Sequence, residues 1–192
     1  MSVLDEAPHV HADDRATWHA WLEANHATAR GAWLVTWRPH SGRVRLDYEA
    51  AIEEALCFGW VDSTGGHVDG ERGKLYFAPR KPRSVWAASN KARVERLIGE
   101  GRMAPAGLAA IERAKANGSW EVLDAVERLE VPEDLAEALE INPPAAVSFA
   151  AFPPSARKML LGWIAVARRP ETRAARIANI VEAAARNERA RG

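Results

Sequence analysis

Only one cysteine, Cys57, occurs in 192 residues, so no internal disulfide can form and a stapled secreted scaffold is excluded. A surplus of either charge is also missing: 26 Lys and Arg balance 26 Asp and Glu. General nucleic-acid and membrane-surface binders need a surplus of basic residues to displace counterions or meet anionic lipid, and neither class fits this balance. No apolar run approaches the roughly eighteen residues of a membrane span. The opening MSVLDEAPHVHADD is acidic and broken by Pro8, with no basic segment followed by an apolar one, which predicts a cytoplasmic protein. Glycine-rich phosphate loops, a nucleophile elbow and a dinucleotide fingerprint are absent, and Gly99-Glu100-Gly101 lacks the surroundings that would make one.

What the chain does have is a globular composition, 47% apolar with mixed charge, enough for one domain with a helical appendage. Asp13 and Asp14 predict the cap of a helix reaching about His26, with Trp18, Trp21 and Leu22 along one face. Trp33 to Trp37 alternates as a strand. Asp47 starts a second helix whose stripe is Tyr48, Ala51, Ile52, Ala55 and Leu56, and Gly59 ends it. Trp60 to about Val68 reads as a strand bent near Gly65-Gly66, paired with one at Leu75 to Phe77. Ser84 is read as the cap of a helix carrying Trp86, Asn90, Val94 and Leu97 on one face. Helices opened by Pro105 and Pro132, and others around Phe149, Leu160 and Ile177, complete the chain. The expectation is an α+β protein: a mobile tail over 1–12, a small antiparallel sheet packed by helices within 13–118, a linker over 119–131 and a helical region over 132–192.

Chemistry-bearing residues concentrate between Asp62 and Asn90. In ALCFGWVDS a helix ends at Gly59, and strand alternation then places Trp60 and Asp62 on one side, with Ser63 beside them. Asp62 either contributes to a site or simply caps a turn or pairs with Arg80. FAPRKPRSVWAASN gathers Arg80, Lys81 and Arg83 just before the expected helix start, a setting that favours an anionic ligand. Asn90, sharing a face with Trp86, needs partners for its amide, from a ligand or from a backbone loop. The candidate ligand-binding set is therefore Trp60, Asp62, Ser63, Arg80, Lys81, Trp86 and Asn90, with no catalytic residue and no cofactor assigned.

Other features read as structural. Cys57 sits at a helix C-terminus, where the dipole opposes a thiolate, and reads as a buried thiol. The six histidines match no zinc spacing, so no metal is expected. Trp18, Trp21, Trp33 and Trp163 follow core spacing. The basic start of the last helix, Arg168 to Arg176, reads as a solvated face that an acidic partner or, on a weaker reading, a nucleic acid could use. Glu127, Glu130, Glu133 and Asp134 form the acidic patch through which a cationic protein partner would be met.

ALCFGWVDS, FAPRKPRSVWAASN, LIGEGRMAPAG and RRPETRAARI, in this order from Trp18 to about Ala185, resemble the bacterial YdeI/OmpD-associated family, also described as bacteriocin-protection proteins. The resemblance implies a role in tolerance of cationic antimicrobial peptides or association with outer-membrane proteins. It supplies no reaction and no catalytic residues. Two functions follow as expectations: a small-anion-binding protein, with or without catalysis, or a tolerance protein acting through protein contacts.

Overall fold

The structure, a computed structural model, describes residues 4–190. It is α+β and divides into two compact units. One holds the described residues up to Ser84 together with Ser89–Asn117; the other holds Val85–Ala88 and the described residues from Gly118 onward.

In the first unit, β1 (His9–His11), β2 (Ala32–Trp37), β3 (Trp60–His67) and β4 (Arg72–Pro79) form one sheet in the order β1-β2-β4-β3. The β2-β4-β3 part is antiparallel, whereas β1 joins β2 in parallel, with His9 opposite Trp33. Residues 9–11 are thus an edge strand instead of part of a mobile tail, because backbone pairing with β2 gives their amides partners. Between Asp62 and Gly65 the β3 register slips by one against β4, the bulge that the Gly65-Gly66 pair foreshadowed.

Two helices pack on one face of this sheet. α1 (Arg15–Asn25) is capped by Asp14, whose carboxylate accepts from Thr17 N at 2.8 Å. α2 (Tyr48–Cys57) is capped by Asp47, which accepts from Ala50 N at 2.8 Å. Each cap answers one of the amides that a helix start leaves without an internal partner. The Trp18 ring lies 5.3 Å from Phe77 and 5.4 Å from Trp21, and Trp21 meets Trp60 edge-on at 5.8 Å. These indoles make the core between α1 and the sheet.

Gly59 ends α2 at φ +74°, a backbone region that suits glycine, and a Cβ there would sit 3.0 Å from Ala106 O. α3 (Ala88–Gly99) and α4 (Pro105–Ala116) follow. α4 packs closely on the end of α2: a Cβ at Gly107 would stand 2.2 Å from Cys57 O.

α3 begins at Ala88, not at Ser84. Residues 84–87 lie outside any helix or strand, and Trp86 is buried in the second unit with its ring 5.0 Å from Trp120. Burying an indole outweighs the local preference of Ser84 for a cap.

The second unit is helical, with α5 (Asp124–Glu127), α6 (Glu133–Glu140), α7 (Pro143–Ala151), α8 (Pro154–Ala165) and α9 (Pro170–Ala185). Its core is aliphatic and aromatic, centred on Leu135, Phe149, Leu160, Ile164 and Ile180. The stretch 119–131, read from sequence as a linker, carries α5 and contributes Val126 to that core. Among the described residues no helix is long and apolar enough to cross a membrane.

Candidate functional site

The face of the sheet that receives α1 and α2 carries Ala32, Leu34 and Thr36 from β2. By register, Gly73, Leu75 and Phe77 of β4 and Trp60, Asp62, Gly65 and His67 of β3 share it. Trp60 and Asp62 therefore do lie on one side. Trp60 is 1% exposed and its Nε1 donates to His26 O at 3.3 Å, so the indole is enclosed by protein. Asp62 is half-buried and accepts from the Tyr48 hydroxyl at 3.1 Å. Burial, and then the Asp62 charge, raise the Tyr48 pKa above 10.

Arg80 is buried at 8% exposure. That burial lowers its pKa to about 10, against the pull of the Asp62 charge. Asn90 is half-buried and accepts from Arg93 Nη1 at 2.9 Å. Arg93 in turn grips Glu49 through Nε and Nη2, both at 2.7 Å, and these bonds hold the exposed Glu49 carboxyl below its ordinary value. Asp62, Arg80 and Asn90 thus belong to a polar region that also includes Tyr48, Glu49 and Arg93. Ser63 and Lys81 are exposed. Trp86, 2% exposed, belongs to the other unit.

Tyr48 was read from sequence as part of the apolar stripe of α2. It is 57% exposed, and it lines a hollow of about 460 Å³ between the sheet face and the start of α2. The floor is Leu34, Leu75, Leu46 and Ala51; the rim holds Arg38, Arg45 and His67. The hollow exists because Gly65 and Gly73 present no side chain where neighbouring strand positions would. A Cβ at Gly65 would meet only Lys74 O, at 3.7 Å. Interior strand glycines weaken a sheet, and they often mark where something approaches the backbone. Asp47, the acidic residue of the lining, is occupied as the α2 cap.

A second polar concentration lies in the middle of α2. Glu53 and Glu54 are 5% and 3% exposed. Arg15 Nη1 donates to Glu53 Oε2 at 2.8 Å and to Glu54 Oε1 at 2.9 Å. Arg96 also bonds Glu53, Arg102 Nη2 donates to Glu54 Oε1 at 2.5 Å, and His19 Nδ1 stands 2.6 Å from Glu54 Oε2. Burial pushes the Glu53 carboxyl up, but the bonds from Arg15 and Arg96 outweigh it and keep the pKa below 4.5. Adjacent Cys57 is a buried thiol whose pKa desolvation raises to about 11, with the Glu54 charge adding to the effect.

Sequence reasoning missed this pair. Its signal was present as two charges interrupting the apolar run of AIEEALCF. Charged surface segments also have partners within the chain. In the acidic patch, Glu127 pairs with Lys158, Glu130 with Arg128 and Asp134 with Arg173. At the basic start of α9, Arg176 donates to Trp163 O and lies over the Trp163 ring. Among the described residues no group of three or more His, Cys, Asp or Glu is arranged to hold a metal.

These features define an α+β protein whose sheet-bearing unit holds the polar groups while its helical unit is filled with apolar ones. The chain belongs to the family described as Domain of unknown function (DUF8412), whose model matches residues 10–110. Residues 128–187 match the model described as Bacteriocin-protection, YdeI or OmpD-Associated. The resemblance noted in the sequence is therefore supported, over a shorter span: RRPETRAARI lies in the second match, whereas ALCFGWVDS, FAPRKPRSVWAASN and LIGEGRMAPAG lie in the first. No curated protein and no solved structure matches the chain.

Proposed function

We propose that the sheet-bearing unit binds a small anionic molecule with an apolar body, and that the protein works as a cytoplasmic ligand-binding protein. The observation that carries this reading is the hollow between the sheet and α2: apolar floor, rim of Arg38, Arg45 and His67, and two strand glycines holding it open. Its volume of about 460 Å³ falls among small-ligand sites, which combine apolar walls with a few polar groups that fix orientation. Arg38 and Arg45 suit a carboxylate or phosphate, since a guanidinium matches such groups with paired donors. Tyr48, tied to Asp62, offers a hydroxyl at the mouth.

The test is a thermal-shift and calorimetric screen of aliphatic and aromatic carboxylates and phosphate esters. A ligand found there is expected to lose binding in the Arg38→Ala/Arg45→Ala double variant and in Gly65→Val, both of which keep the fold. The reading is overturned if no anion binds, or if a ligand binds Gly65→Val as tightly as it binds the unaltered protein.

A further inference from the structure

Away from that hollow, the buried carboxylates of α2 back onto an open cleft of about 690 Å³ lined by Arg15, Ala16, His19, Glu54, Gly101 and Arg102. The carboxylates leave part of each cation's donor set unused. Arg15 bonds Glu53 and Glu54 through Nη1 alone. Arg102 spends Nη1 on Glu53 and Glu100 and Nη2 on Glu54. His19 spends Nδ1 on Glu54. Among the described residues, Arg15 Nε and Nη2, Arg102 Nε and His19 Nε2 are left over, on side chains that are 41%, 29% and 44% exposed. A guanidinium held from behind by a buried carboxylate is already oriented, so less rotamer freedom is lost when its outer edge meets a ligand.

We propose that this cleft is a proton-coupled binding site for a small oxyanion, held by Arg15 Nε and Nη2, by Arg102 Nε and by His19 Nε2. The charge balance supplies the coupling. Arg15, Arg96 and Arg102 face Glu53, Glu54 and Glu100, which is neutral before an anion arrives. His19, whose Nδ1 stands 2.6 Å from Glu54 Oε2, is the group beside that carboxylate that can take up a compensating proton when the anion binds. With Nδ1–H donated to the Glu54 carboxylate, the neutral ring presents its lone pair at Nε2. A proton taken there from solvent turns Nε2 into a donor toward the oxyanion. Glu23, one turn along α1, and His26, whose ring shares Phe58 with that of His19, are further titratable groups on the imidazole's side of α1. His26 directs its Nδ1 to Leu22 O at 2.9 Å.

Sulfate keeps a constant charge from pH 6 to 8 and is the probe of choice, titrated at fixed ionic strength against the His19 imidazole signals by NMR. Acetate in a parallel titration tells a tetrahedral preference from a planar one. Saturable binding is expected, weakening by about tenfold or more from pH 6 to pH 8. Ala16→Glu puts a carboxylate in the cleft at an exposed first-turn position that tolerates it, and should abolish binding. His19→Gln keeps a donor for Glu54 without titrating, and should leave weak, pH-independent binding. Gly65→Val, which fills the other hollow, should leave sulfate binding unchanged, so the two sites stand or fall separately. Absence of sulfate and acetate binding, binding that survives Ala16→Glu, or a pH dependence that persists in His19→Gln overturns the proposal.

Discussion

The two units solve the problem of filling an interior in opposite ways. The helical unit packs Leu135, Phe149, Leu160, Ile164 and Ile180 against one another, and its charges meet at the surface, as in Asp134 with Arg173. The sheet-bearing unit sinks Glu53, Glu54 and Arg80 below 9% exposure and leaves glycines where the sheet face could have been filled. An apolar core asks only for volume and shape, whereas a buried ion pair returns its desolvation cost only when geometry is good. Tolerating that cost in one unit, and not in the other, is why the search for function belongs in the first.

That contrast can be broken experimentally. The largest effect is expected from Glu53→Ala, which strips Arg15, Arg96 and Arg102 of a buried partner. A loss of about 3 kcal/mol in urea unfolding is expected, at the low end for buried pairs because the arginines can swing to water. Leu160→Ala should cost a similar amount, about 3 kcal/mol, through the cavity it leaves. Their pH dependence separates them. The Glu53 pKa is lowered on folding, so its stabilisation is complete above the ordinary value of 4.5 and fades as pH falls through the folded value. Thermal melts from pH 7 to pH 3 should show a smaller acid loss for Glu53→Gln than for the unaltered chain, while Leu160→Ala should parallel the unaltered chain. An acid profile unchanged by Glu53→Gln would remove the electrostatic half of the comparison.

Gly65→Val sharpens it from the other side. A strand glycine costs roughly 0.5–1 kcal/mol relative to a residue with a side chain, and the position has room. This variant should gain about 0.5 kcal/mol, a mark of stability given up to keep the hollow open. The smallest change is Tyr48→Phe, which removes one largely exposed hydrogen bond to Asp62 and should cost about 0.5 kcal/mol by the same denaturation assay.

Much of the framework could be read from local sequence. Asp14 and Asp47 cap the helices they were expected to cap, Gly59 ends α2, and the bulge falls beside Gly65. Each of these is a contest settled among residues a few positions apart. Ser84 failed as a cap because Trp86 is buried with Trp120, a partner more than thirty positions away. The site was legible only in pieces: Asp62 and Asn90 were singled out, but their partners Tyr48 and Arg93 were not.

Local chemistry was therefore enough to set where α1 and α2 start, where α2 stops and where β3 bulges, that Trp60 and Asp62 share a side, and that Cys57 is a quiet thiol. Folding alone decided that Arg15, Arg96 and Arg102, drawn from three separate segments, converge on two adjacent glutamates, and that Gly65 and Gly73 open onto the same hollow. Strand register and helix packing bring distant residues together, and no short window of sequence contains the free energy that chooses among those arrangements.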